Sequence, residues 1–337
     1  MNSLERIAAT VKFQDTDRVP VIAQVFGHAA SLAGVAVDDY VRDGETLARC
    51  QLNALKQYGY DAVFSVMDVS VETEAVGSVL QYRRNQYPTI ERYALSREDD
   101  WTALPIPDPQ KAGRMPEMLK ALGILRQELG NETMVVGCVV GPFTLTTQLL
   151  GLETALYLAI DDPSRLERLM DFATEVIIRF GRSQLRAGAH LPIVFNPSAS
   201  PDVIPPQFFR EFELPRLQRV FQAFTGAGAV ANWLHIAGPI GPILRYYPKA
   251  GVHIANFDYC VSAVEAVNEL PATCLDGNIK SLMFVDGSPA DIEAEALDLL
   301  RGFRERGGFI LSSGCEIPPE SVPENVAALV NAARARL

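Results

Sequence analysis

Two side chains in this sequence stand where soft-metal chemistry could be done. His235 ends the small, apolar run GAVANWLHIAGP (228–239), and Cys315 follows the run GGFILSSG (307–314). Imidazole and thiolate are the commonest soft ligands of zinc. An apolar run that stops on one polar residue before Gly-Pro is how a buried parallel strand delivers a side chain to a working face. The competing readings are plain ones: a hydrogen-bonded core histidine and an ordinary buried thiol.

Other polar residues also close strand-like runs. Asp68, Glu72 and Glu74 lie in MDVSVETEAVG, Asn196 in FNPSAS, Asp258 in NFDY, Asp276 and Asn278 in LDGN. The three carboxylates could bind a metal, exchange protons or form a solvated loop, and Glu72 and Glu74 share a face if that piece is extended. Asp and Asn after a strand also cap helices and make turns, so each has a structural alternative. Gly141-Pro142-Phe143-Thr144 is a tight strand-to-helix turn whose free amides could face a ligand.

The elements that must position these groups alternate along the chain. A short helix over 3–10 precedes a strand over 18–25, a helix over 45–58 and a strand over 62–66. Residues 78–104 then alternate in the manner of an antiparallel hairpin or two, rich in aromatics and charges. Beyond the stiff connection at Pro105, Pro107 and Pro109, strand patterns at 134–140, 192–195, 230–236, 252–257, 272–275 and 309–312 are separated by helical ones, the last over 322–335. Eight strands with intervening helices predict an α/β fold, a closed (β/α)8 TIM barrel in one domain, with N-terminal helical and β-hairpin elaborations. A doubly wound open sheet is the alternative, but GHAASLAG (27–34) lacks the G-x-G-x-x-G spacing of a phosphate turn. A barrel would gather the strand-end residues at one mouth.

The composition bounds the partners. With 337 residues, 48% of them hydrophobic, the chain can bury a large core. Its net charge of −11 and lack of a Lys/Arg cluster argue against nucleic acid. No apolar run is long enough to span a bilayer, and charges at Glu5, Arg6 and Lys12 occupy the place of a signal peptide's apolar core, so a cytoplasmic protein is expected. Five scattered cysteines suit reduced thiols.

The motifs GPFTLTTQLLG (141–151), NPSASPDVIPPQFFREFELP (196–215), HIAG (235–238), LDGNI (275–279) and GCEIPPESVPEN (314–325) resemble the uroporphyrinogen decarboxylase superfamily. Within it they are more similar to the cobamide-dependent methyltransferases of the MtaA/CmuA type. The resemblance spans nearly the whole chain and implies a barrel with its site in the mouth. For the methyltransferase branch it implies a zinc held by H-x-C and a distant Cys, which activates an acceptor thiol to take a methyl group from a methylcobamide on a corrinoid protein. His235 and Cys315 match that pattern, but the middle ligand is Ala237, which cannot bind metal. A third ligand is therefore expected from Glu72 first, then Glu74, with Asp258 and Cys260 behind them. Asn196 and Asp258 are expected beside His235 and Cys315 as catalytic residues, and Gly141, Asp276 and Asn278 as contacts to the cobamide or small substrate. Asn196 replaces a typical family Asp. The decarboxylase itself resembles a metal-free basin whose N-terminal arginines hold an octacarboxylate macrocycle. Here no Arg or Lys occurs between Arg18 and Arg42. A tetrapyrrole decarboxylase, a metal-free superfamily member with another substrate, and a non-catalytic partner of a corrinoid protein are the alternatives.

Overall fold

A computed structural model describes residues 1–97, 99, 101 and 104–334. Parts of the expected 78–104 hairpin region and residue 335 of the last expected helix lie outside these. Among the described residues there are ten strands: β1 (Val21–Ile22), β2 (Ala62–Phe64), β3 (Val79–Gln81), β4 (Thr89–Arg92), β5 (Met134–Val140), β6 (Leu191–Phe195), β7 (Trp233–His235), β8 (Ile254–Asn256), β9 (Cys274–Ile279) and β10 (Phe309–Ser313). Eight form one parallel sheet in the order β1-β10-β9-β8-β7-β6-β5-β2, and β3 and β4 pair antiparallel as a separate two-stranded ribbon. The fold is a (β/α)8 barrel.

The strands read correctly where they are uninterrupted apolar runs. The stretch over β5, MVVGCVV, is buried at every position, as a parallel strand covered on both faces must be. The first strand is shorter than the 18–25 run predicted, pairing β10 only through Val21 and Ile22, and its other neighbour at Val21 is Asp61. The Val21 amide donates to Asp61 Oδ2 at 2.8 Å, and the Asp61 amide donates to the Val21 carbonyl at 2.8 Å, bringing β1 and β2 together. The fully buried Asp61 carboxylate also receives Arg18 Nη1 and Nη2 at 2.8 and 2.9 Å, Arg6 Nη1 at 2.7 Å and Ser3 Oγ at 2.7 Å. These groups supply the charge-assisted partners that a buried carboxylate requires.

Helices start and stop on identifiable residues. Asp43 caps Gly44–Tyr58, which ends at Gly59 in the left-handed region (φ +70°). Asp162 caps the 25-residue helix Pro163–Ala187. Gly151 (φ +91°) separates Pro142–Leu150 from Leu152–Asp161, which meet at 107°. By length and composition alone this bent pair could be read as a broken span, but among the described residues no single helix is long and apolar enough to cross a membrane.

One local expectation fails with consequences for the site. Residues Val71–Val76 form a helix, so Glu72 and Glu74 do not share a face: two positions along an α-helix are roughly 200° apart. The helical run from Pro206 to Gly226 also carries a π turn at Phe209–Glu213. Glu213 lies at the end of that turn and is fully buried.

Candidate active site

His235 ends β7, and Cys315 lies two residues beyond β10, so both sit at carboxyl ends of barrel strands. They line one cavity of about 510 Å³ together with Ala237, Asp68 and Glu316. Phe26 and Phe195 contribute aromatic surface, with ring centroids 5.8 Å apart, and Phe26 meets Phe64 edge-on at 5.1 Å. The remaining wall comes from the β3–β4 ribbon and its flanks, through Tyr87, Pro88, Thr89, Ile90 and Tyr93.

His235 is 3% exposed, its ring 4.7 Å from that of Phe195. Burial pushes its pKa down to about 3, so the imidazole is neutral, and its Nδ1 is enclosed without a hydrogen-bond partner. Burial pushes the Cys315 thiol up to about 11, so without a cation beside it this group is a thiol at neutral pH.

Sequence reasoning overlooked Glu316. The residue is half-buried in the cavity wall, and burial raises the carboxyl to about 7 against a hydrogen bond from Tyr87 that lowers it. Tyr87 donates its hydroxyl to Glu316 Oε1 at 2.5 Å, and the Gly27 amide donates to the same oxygen at 3.3 Å. The motif GCEIPP did contain this residue, but its partner lies in the hairpin, which reads as an elaboration. Gln148 lines the cavity as well; its Oε1 accepts from Thr73 Oγ1 at 2.6 Å.

The other expected site residues are drawn into the framework. Glu72 does not line the cavity: Oε1 accepts the Val140 amide at 3.0 Å, and burial raises the group to about 7. Glu74 turns away to Arg114 Nε at 2.7 Å and Tyr82 hydroxyl at 3.1 Å. Asn196 is fully buried, accepting from Thr144 Oγ1 at 2.8 Å and donating to Glu213 Oε1 at 2.5 Å, while Glu213 Oε2 accepts the Phe143 amide at 3.1 Å. That last bond occupies an amide of the turn where a ligand contact was expected. Gly141 is needed there for room, since a Cβ would stand 2.1 Å from Asn196 Cγ. Asp258 accepts the amides of Gly238 at 3.1 Å and Cys260 at 3.2 Å, and Cys260 itself is exposed. Asn278 donates to the Val261 carbonyl at 3.0 Å. Asp276 lies wholly inside the barrel with Asn256 Nδ2 at 2.9 Å on one oxygen, and burial raises it to about 7. For Glu72, Asn196, Asp258, Asp276 and Asn278 the physical reason is common: buried backbone and amide groups need partners, and these side chains supply them.

The expected zinc therefore meets an incomplete donor set. His235 brings a neutral nitrogen and Cys315 a sulfur, but Ala237 brings nothing. Among the described residues no three His, Cys, Asp or Glu side chains gather around a point that could hold a metal ion. Glu72 and Glu74, expected as ligands, are engaged in this structure by the bonds above.

A barrel with a substrate-sized cavity at the carboxyl ends of its strands is the architecture of a (β/α)8-barrel enzyme. Residues 2–336 match the family model described as uroporphyrinogen decarboxylase (URO-D), and the chain belongs to that family. It is 28% identical over 334 residues to the methylcobamide:CoM methyltransferase MtaA of Methanosarcina barkeri, covering 97% of this chain and 96% of that one. It is 25% identical to a uroporphyrinogen decarboxylase of Aeromonas salmonicida, covering 86% and 83%. A solved methyltransferase from Methanosarcina mazei superposes with a TM-score of 0.91 at 27% identity, over 99% of this chain and 98% of that one.

Proposed function

We propose that this protein is a methyltransferase that moves a methyl group between a methylcobamide, carried by a separate corrinoid protein, and a small acceptor such as a thiol. The observation that carries the reading is the cavity shared by His235 and Cys315, in a chain similar end to end to methylcobamide-using enzymes. A cavity of about 510 Å³ suits a small acceptor, with the corrinoid approaching from outside.

In the forward direction the acceptor sulfur attacks the methyl carbon and forms the new bond with its own electron pair. Cobalt keeps the pair of the bond that breaks, and the thiol proton must leave. Glu316 is the group suited to receive it, because its carboxyl faces the cavity and titrates near neutrality. Tyr87 holds that carboxyl in place. His235 is neutral and offers nitrogen to the bound acceptor, and the aromatic walls keep water from the electrophilic methyl group.

The tetrapyrrole decarboxylase reading is disfavoured by the cavity's lining. No Arg or Lys is among the described residues that face it, whereas an octacarboxylate substrate demands several. The test is to mix the purified protein with methylcobalamin and a thiol and follow the corrinoid's visible spectrum. Demethylation is expected; an unchanged spectrum with every thiol and tetrahydropterin, alongside consumption of uroporphyrinogen, would transfer the assignment to the decarboxylase.

A further inference from the structure

The charge inventory of the cavity is one-sided. Two carboxylates, Asp68 and Glu316, face it, together with the rings of Phe26, Tyr87, Tyr93 and Phe195. Among the described residues, the cation paired with a lining carboxylate is Arg114, and all five of its N–H donors are engaged. Nε binds Glu74 at 2.7 Å, Nη1 binds Asp68 at 2.5 Å and the Val41 carbonyl at 2.8 Å, and Nη2 reaches Asp68 at 3.3 Å and Ser70 Oγ at 3.2 Å. Its charge is matched by Asp68 and Glu74 within that cluster. The Gly27 amide, which might bind an anion, is already held by Tyr87 and Glu316. An anionic ligand would enter this space stripped of water and, among the described residues that line it, would meet no uncommitted cation.

We propose that the small molecule carrying or accepting the methyl group has an apolar body and no negative charge, and that the cavity selects neutral or cationic molecules against anionic ones. This rests on the methyltransferase reading. The selection follows from the absence of a partner for a negative head, together with aromatic faces that favour an apolar or cationic one.

Two calorimetric series test it on the full-length protein. The first compares thiols of one length: 2-mercaptoethanesulfonate, 2-mercaptoethanol and cysteamine. The second contains no thiol: benzoate, benzyl alcohol and benzylammonium. In both, the anion is expected to bind at least about tenfold more weakly than the neutral molecule. Val69→Lys places a cation on a cavity-lining position that is already 37% exposed, and is expected to narrow the gap. An anion that binds as well as its neutral counterpart, or no binding by any of the six, overturns the inference. The charge ranking without methyl transfer from methylcobalamin to any thiol would instead remove the methyltransferase reading and leave the selectivity standing.

Discussion

Tyr87 and Glu316, 229 positions apart in sequence, share a 2.5 Å hydrogen bond at the edge of the cavity that holds His235 and Cys315. The tyrosine donates and the carboxylate accepts, so the bond favours the ionised form and opposes the desolvation that raises Glu316 to about 7. A proton acceptor works only when ionised, so methyl transfer is expected to rise with pH through about 7. Tyr87→Phe removes the favourable donor and should move this limb to higher pH by about one unit. Glu316→Gln should abolish the limb and slow transfer about a hundredfold. A pH–rate profile unchanged in both variants would take Glu316 out of the mechanism.

Asn196 is expected to act on stability rather than on the ligand. Asn196→Ala leaves Thr144 Oγ1 and Glu213 Oε1 without their buried partner and should cost about 2–4 kcal/mol in urea unfolding. Asn196→Asp sets a second carboxyl against Glu213. Burial raises Glu213 to about 7, so its stabilising, protonated state is complete below its unfolded value near 4.3 and is lost as pH climbs through about 7. The Asp variant should accordingly be more destabilised at pH 8 than at pH 6. Equal losses at the two pH values would argue against the coupling.

Asp61→Asn should lower stability by about 3–5 kcal/mol, because Arg6 and Arg18 lose the buried charge that compensates them. The damage falls on the join between β1 and β2, away from the cavity-lining residues, so ligand affinity measured below the unfolding transition should stay within about twofold. A large loss of affinity at full folding would mean that this end of the barrel controls the mouth.

Zinc added to the protein is expected to dialyse away, since His235 and Cys315 alone make too weak a site. Occupancy measured by atomic absorption should fall well below one per chain. If one zinc per chain survives dialysis and is lost in His235→Ala, a third donor exists and the metal reading returns.

The barrel was legible because its longer strands are uninterrupted apolar runs between helical periods, and β5 was read to the residue. β1 was overread because the apolar run continues past the two residues that pair with β10, and no local pattern carries its bond to Asp61, 40 positions away. His235 and Cys315 are marked by both strand ends and family motifs, and the structure sets the two on one cavity. Asn196, Asp258, Asp276 and Asn278 satisfy the same patterns, and the structure engages each with neighbouring groups, because their orientation depends on which buried polar groups nearby lack partners. Glu72 and Glu74 were misjudged for a simpler reason: a helix replaces an extended segment and separates them. Glu316 was passed over because its meaning depends on Tyr87, which belongs to a different part of the chain.

Among the described residues the ribbon of β3 and β4 makes no ladder with the barrel, yet Tyr87, Pro88, Thr89, Ile90 and Tyr93 form much of the cavity wall. Scaffold and selectivity are thus written in separable passages of the sequence. An exchange of this short cassette between relatives would leave the eight strands, His235 and Cys315 untouched while presenting a different surface to the ligand. In such an architecture a new preference can arise by replacing one insertion, without renegotiating the core that keeps the protein folded.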